Sequence, residues 1–320
     1  MTLTRVPRAP KKTNMSLKDR IRTGIYEGDI TVWFMILPTV ILFLATSVYP
    51  FYWIFRYVFY DYNGYKAYYV GWYNFEKLLG DTVFWNSVWH TLEYAIGKLI
   101  IILPIALVAA VLLSGKLKGT NFFRVLFFVP TVISSVIYGL IWYFVFSAYN
   151  GPLNNILLNL GLITGNVDWM GNPNTAMGAI VTVAVWGGFG NYMILLVAGL
   201  QSIPADLYES STIDGANAWQ NFWYITLPML GPVLKVVLML AITSALRDYE
   251  VIMVMTNGGP ANRTNVMFLY IYHLIFGNQT ASNFRYQIGY GAAVGLVSAL
   301  IVGIITVIYL RISRKLDDIY

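Results

Sequence analysis

The sequence predicts an all-α integral membrane protein with six transmembrane helices and both termini in the cytoplasm. Three observations predict it. Only 11% of the 320 residues are charged while 58% are apolar, whereas a soluble domain carries roughly 25% charged residues. Six apolar blocks reach the length of about 20 residues that a helix needs to cross a bilayer. Lys and Arg also divide unevenly between the two sets of loops.

Residues 1–30 form a polar, basic N-terminal segment. The first apolar block, 31–53, reads as a retained anchor, because no small-residue cleavage site follows a short apolar core. The remaining blocks lie near 88–114, 125–147, 176–200, 231–253 and 288–310, within a membrane body spanning 31–312; a short tail covers 313–320. Pro38, Pro104 and Pro130 fall inside spans, where neighbouring helices or water can satisfy the freed carbonyl. Residues 1–30, the loop holding Lys116, Lys118 and Arg124, and the tail with Arg311, Arg314 and Lys315 carry thirteen basic residues. The opposite side carries five: Arg56, Lys66, Lys77, Arg263 and Arg285. The richer side is cytoplasmic. By alternation 201–230 is cytoplasmic too, although it holds no Lys or Arg.

The net charge of +6 sits mainly at the ends and in one short loop, so it sets orientation and does not indicate nucleic acid. Cysteine is absent, which excludes disulfides and thiol catalysis. His90 and His273 are too few and too distant in sequence to suggest a metal site, and no metal is expected. "SGKLKG" at 114–119 lacks both the earlier Gly and the following Ser or Thr of a nucleotide-binding phosphate loop. No cofactor is expected on this chain.

"YESSTIDGANAWQNFWYITLP", 208–228, is acidic within its basic-rich side. Ser202 as a cap, with Pro204 and Asp206 in a first turn, predicts a short helix over about 203–216. Asp214-Gly215 ends it, Gly supplying the positive φ of a helix stop. A second segment, "NAWQNFWYI", leads to Leu227-Pro228. Anionic headgroups would repel such acids, and a basic groove on a partner protein would attract them. An ordinary solvated loop is the alternative.

Glu209-Ser210-Ser211, Gly215 after three more residues, then Ile225 and Leu227-Pro228 resemble the EAA signature of ABC importer permeases, with two serines in place of the alanines. Asp214-Gly215-Ala216 is the form seen in carbohydrate importers. "GLQSIPADLYESS" (199–211), the third apolar block and "YEVIMVMTNGGPANRTN" (249–265) resemble the same branch, that of the maltose and glycerol-phosphate importer permeases. The resemblance runs from about residue 31 onward and implies a permease fold with a coupling helix on the cytoplasmic side. Glu209, Ser210, Ser211, Asp214, Gly215 and Ala216 would engage a separate ATPase that uses ATP and Mg. It also implies a second permease subunit, most simply a different one, two ATPase subunits, an external solute-binding protein, a carbohydrate substrate and a bacterial-type cytoplasmic membrane. Glycerol-3-phosphate or another small anion is the alternative cargo. An integral membrane glycosyltransferase is the alternative class, but the only adjacent acidic pair, Asp317-Asp318, lies in a basic tail.

Charges inside spans are costly and point to function or internal pairing. Glu93, Lys98, Lys235 and Arg247 are the four cases. Lys235 can snorkel to the interface. Arg247, about 24 Å into its span, either pairs with Glu93 or meets an anionic substrate. Its neighbour Asp248 matches the family's Asp, and adjacent residues do not face each other on a helix. Asn191 and Tyr192, inside a Gly-rich span, complete the expected path. Asn257, Gly258, Gly259 and Pro260 form a turn expected at an outer gate or a binding-protein dock.

Overall fold

The computed structural model describes residues 29–115, 118–277 and 286–316. The basic residues of 1–28, Lys116, Arg285 and the Asp317-Asp318 pair lie outside them. The chain divides into two compact units, 1–56 and 57–320.

In the first unit α1 (Asp29–Phe43) continues through a π turn (Leu44–Val48) into α2 (Tyr49–Tyr57). Trp33, Phe34 and Phe43 are each more than half exposed, at 69%, 77% and 58%, as expected of a helix that is apolar all round. The π turn answers Pro50. Proline has no N–H, and its ring crowds the carbonyl four residues back. Widening the turn gives it room, and Tyr49 donates to the Leu44 carbonyl five residues earlier.

The second unit opens with an antiparallel hairpin, β1 (Tyr60–Tyr62) against β2 (Ala67–Tyr69), with Tyr60 opposite Tyr69. After α3 (Tyr73–Leu79) comes α4 (Thr82–Ser114), 33 residues long. Asp81 caps it by accepting from the Val83 and Phe84 N–H groups. The same carboxylate accepts from the Tyr270 hydroxyl at 2.6 Å and from that of Tyr290. Burial pushes the Asp81 carboxyl up, but these hydrogen bonds outweigh it and hold the group below the usual carboxylate value.

Two of the six predicted spans are not continuous. α5 (Thr120–Val132) and α6 (Ser135–Val145) meet at 96°. Pro130 is followed by Thr131, Val132 and Ile133, all β-branched and poor at continuing a helix. After α7 (Pro152–Asn159), α8 (Ala176–Gln201) runs unbroken. Then come α9 (Ala205–Ile213), α10 (Ala218–Asn221), a second π turn (Phe222–Thr226) and α11 (Leu227–Met229). This π turn again stands just ahead of a proline, Pro228, and Leu227 donates five residues back to Phe222. A 69° bend at Leu230 leads into α12 (Gly231–Arg247), and Asp248-Tyr249 interrupt the helix before α13 (Glu250–Met255). α14 (Met267–Phe276) and α15 (Ile288–Ile312) complete the helices, followed by a 3₁₀ turn, Ser313–Leu316. Among the described residues four helices are long and apolar enough to cross a membrane, and six spans result if each bent pair counts as one.

The core centres on α4 and α8, with Tyr94, Ile102, Ile180, Met193 and Leu196 all essentially inaccessible. Close approach depends on small residues. A Cβ on Gly190 would overlap the Phe127 carbonyl and reach within 3.1 Å of Phe128 Cα, so α5 lies directly on the α8 backbone. α6 and α13, the segments following the two interruptions, also pack together, and a Cβ on Gly139 would lie 3.5 Å from the Val254 side chain.

Candidate functional site

Both interruptions adjoin one cavity of about 340 Å³. α8 contributes Gly187, Gly188, Asn191 and Tyr192; the break between α5 and α6 contributes Ile133 and Ser135; the end of α12 and start of α13 contribute Ser244, Arg247, Asp248 and Glu250; α4 contributes Tyr94 and Lys98. Gly187 leaves space that Tyr138 fills: a Cβ there would lie 2.6 Å from the Tyr138 Cζ. Tyr138 in turn stacks edge-on against Trp186, with centroids 6.1 Å apart.

The charges are distributed unequally. Lys98 is buried, at 5% exposure, and its ammonium pairs with Asp248 Oδ2. The Tyr94 hydroxyl donates to the same oxygen at 2.9 Å. Tyr94 and Lys98 stand four residues apart and so share one face of α4. Asp248 can meet them because it has left the helix, with φ −64° and ψ 135°. Glu250 Oε2 accepts from Ser135 Oγ, joining the two segments that follow the breaks. Arg247 is exposed and lines the cavity, and its guanidinium makes no hydrogen bond or ion pair with any described residue.

Four of the five residues expected on the path, Asn191, Tyr192, Arg247 and Asp248, therefore line one space. Glu93 does not: it is exposed away from the cavity and forms no pair with Arg247. One residue along a helix is a rotation of about 100°, so Tyr94 faces the cavity and Glu93 faces elsewhere. Tyr94, Ser135, Tyr138 and Glu250 line the same cavity without being expected there, and Lys98, a costly charge inside a span, finds its partner in Asp248. Lys98 four residues after Tyr94 was the usable signal.

The acidic turn is built from local rules. Pro204 precedes α9 directly, with ψ 133°. Ser202, expected to cap that helix, stands two residues too early; its Oγ instead donates to the Gly199 carbonyl at 2.7 Å and closes α8. At the other end the Gly215 N–H donates to Thr212 O and the Ala216 N–H to Ser211 O. This paired stop needs a left-handed residue just past the helix, and Gly215 supplies φ +80°. Ser211 is buried, its Oγ bonding the Tyr208 carbonyl at 2.9 Å, while the Tyr208 hydroxyl meets Thr226 Oγ1 at 3.0 Å. That tie seats α9 on the second π turn. Asn217 and Gln220 cap α10 reciprocally. Glu209, Ser210 and Asp214 remain exposed, and Ser211, Asp214, Gly215 and Ala216 border a second hollow of about 320 Å³ with Asn221 and Tyr224.

The Asn257–Pro260 turn is tightly held. Asn257 and Gly258 take positive φ, 48° and 87°, and a cis peptide joins Gly259 to Pro260. Asn257 Oδ1 meets His273 Nε2 at 2.9 Å, Thr264 Oγ1 donates to the Gly259 carbonyl at 2.6 Å, and Arg263 donates to His90 Nε2 at 3.4 Å. Both histidines thus serve this turn, and both are partly or fully enclosed by protein.

Residues 102–318 match the binding-protein-dependent transport system inner membrane component family. The chain belongs to that family. This permease is 33% identical to the arabinooligosaccharides transport system permease AraP of Bacillus subtilis, over 96% of this chain and 94% of that one. It is 31% identical to AmyD of Thermoanaerobacterium thermosulfurigenes, named a probable starch degradation products transport permease, over 92% and 97% of the two chains. Its fold is similar to a chain in the crystal structure of a bacterial ABC transporter involved in import of the acidic polysaccharide alginate, with a TM-score of 0.79, 26% identity and coverage of 92% and 99%.

Proposed function

We propose that this chain is one permease half of an ATP-driven ABC importer that moves a carbohydrate, an oligosaccharide with acidic members in its range, from an external solute-binding protein into the cytoplasm by alternating access. In this reading the chain crosses the membrane six times, with both termini and the acidic turn on the cytoplasmic side, which the excess of Lys and Arg on that side supports. A second permease completes the pathway, and two ATPase subunits supply the energy; ATP and Mg bind there and not on this chain. The membrane is the bacterial cytoplasmic membrane.

The observation that carries this reading is the 340 Å³ cavity at two helix interruptions, lined by Arg247, Asn191, Tyr192, Ser244 and Glu250. It lies at the small end of the usual ligand-pocket range of about 300–1,000 Å³. Hydroxyls, amide and carboxylate converge there as a polyhydroxylated ring requires, and the tyrosine rings offer apolar faces. Arg247 also suits a small anion such as a glycerol phosphate, which is the second reading. The acidic turn supports the coupling role: Glu209 is exposed, has no partner among the described residues, and sits on a helix anchored by Tyr208 and Ser211. A basic cleft of an ATPase fits it. In the reconstituted complex Glu209→Lys is expected to abolish substrate-stimulated ATP hydrolysis while subunits still assemble. Normal stimulation in that variant overturns the coupling assignment.

A further inference from the structure

We infer that Lys98 is a positioning residue for charge selectivity, cancelling Asp248 so that Arg247 is left to meet the substrate. The inference rests on reading the cavity as the substrate path.

The four charged residues lining the cavity, Lys98, Arg247, Asp248 and Glu250, sum formally to zero. What distinguishes them is which ones are engaged within the protein. The side chain of Lys98 is 7% exposed and that of Asp248 33%, so the carboxylate borders the cavity while its neutralising ammonium lies behind it. Tyr94 adds a second donor to the same oxygen. Asp248 therefore faces the cavity as half of a dipole rather than as a free anion. Glu250 is tied to Ser135 by a neutral hydroxyl. Among the described residues that line the space, Arg247 is the cation without a partner. Without the Lys98 ammonium, the cavity becomes a net anion. Asp248 would then repel acidic sugar groups and compete for Arg247, its neighbour in the chain. In a poorly screened interior, removing one partner of such a pair leaves an uncompensated charge.

A purely structural role would be blind to cargo charge, and this separates the two possibilities. The assembled complex, in vesicles with its binding protein, is given a uronic-acid trisaccharide and its carboxyl-reduced neutral counterpart. Lys98→Met is expected to lower the acidic-to-neutral uptake ratio about tenfold, since like-charge juxtaposition is strongly unfavourable. Asp248→Asn alone, leaving Lys98 uncompensated, is expected to raise the ratio. Lys98→Met with Asp248→Asn should restore it to near the wild-type value, and Lys98→Arg should keep it. If Lys98→Met fails to fold, Asp248→Asn carries the test by its raised ratio, with the double variant, which leaves neither charge bare, as its folded reference. Equal loss of both sugars, or an unchanged ratio across the double-variant series, overturns the inference. Arg247→Gln separates the two levels. If Arg247→Gln shifts the ratio and the Lys98 series does not, only the positioning role fails. If neither shifts it while uptake and coupling stay normal, the cavity is not the charge-reading path. Wild-type complex that carries neither sugar overturns the carbohydrate reading itself.

Discussion

At the scale of single residues, Gly215 is where the acidic turn is most sharply constrained. A residue with a Cβ in left-handed conformation costs about 1–2 kcal/mol, while Asn visits that region more readily than Ala. A Cβ at Gly215 meets nothing within 4 Å, so its requirement is conformational and not steric. The substituted chain can relieve strain only by opening the stop made by the Gly215 and Ala216 N–H groups, which tilts Glu209 relative to the Tyr208 anchor. Gly215→Ala is therefore expected to lower substrate-stimulated ATP hydrolysis several-fold, and Gly215→Asn less, in the order Gly, Asn, Ala. Equal activity of the Asn and Ala variants, measured on the same reconstituted complex, would place the role of Gly215 elsewhere. The motif spacing exposed this glycine in the sequence because its constraint is local. Glu93 shows the converse: one residue from Tyr94, it was assigned to the path on charge alone, and a helix apolar on every side gives no periodicity by which to tell its faces.

At the scale of elements, apolar length located the four long apolar helices and the two bent pairs but did not mark the interruptions. Pro104 sits inside α4 without breaking it, whereas Pro130 precedes a 96° turn; proline alone did not discriminate. The neighbours on the C-terminal side differ. Three β-branched residues, Thr131, Val132 and Ile133, succeed Pro130, while Pro104 is succeeded by Ile105 and then by the helix-favouring Ala106 and Leu107. The break at Asp248 was still less legible, since its partner Lys98 is 150 residues away and no single-sequence pattern reports such a pair. Packing of the broken span then depends on α8 being bare where α5 crosses it. Gly190→Val would drive a side chain into the Phe127 backbone, and overpacking of this kind costs about 1–3 kcal/mol. Gly178, on the same helix, meets nothing within 4 Å. Gly190→Val is expected to reduce folded yield and lower the melting temperature in detergent, with Gly178→Ala indistinguishable from wild type. Equivalent melting of the two variants would show that the contact between α5 and α8 does not limit stability.

At the scale of the whole molecule, the acidic turn and the cavity stand at separate points of one helical body. α8 connects them directly: Asn191 and Tyr192 border the cavity, and Gly199 at its far end receives the Ser202 hydroxyl just ahead of α9. For such a body to rock as a unit, α4, α14 and α15 must stay clasped at their common end, and Asp81 clasps all three. Its carboxyl titrates below the ordinary 3.8 when folded, so the stability it contributes is complete above that value and disappears as pH falls through the folded pKa. Asp81→Ala removes a helix cap and the acceptor of two tyrosines, a loss of about 1–2 kcal/mol. The variant should melt below wild type by a constant margin from about pH 8 to about pH 5, and the margin should shrink only below about pH 4. A margin that instead closes near pH 6 would mean that a group other than the Asp81 carboxyl governs the clasp.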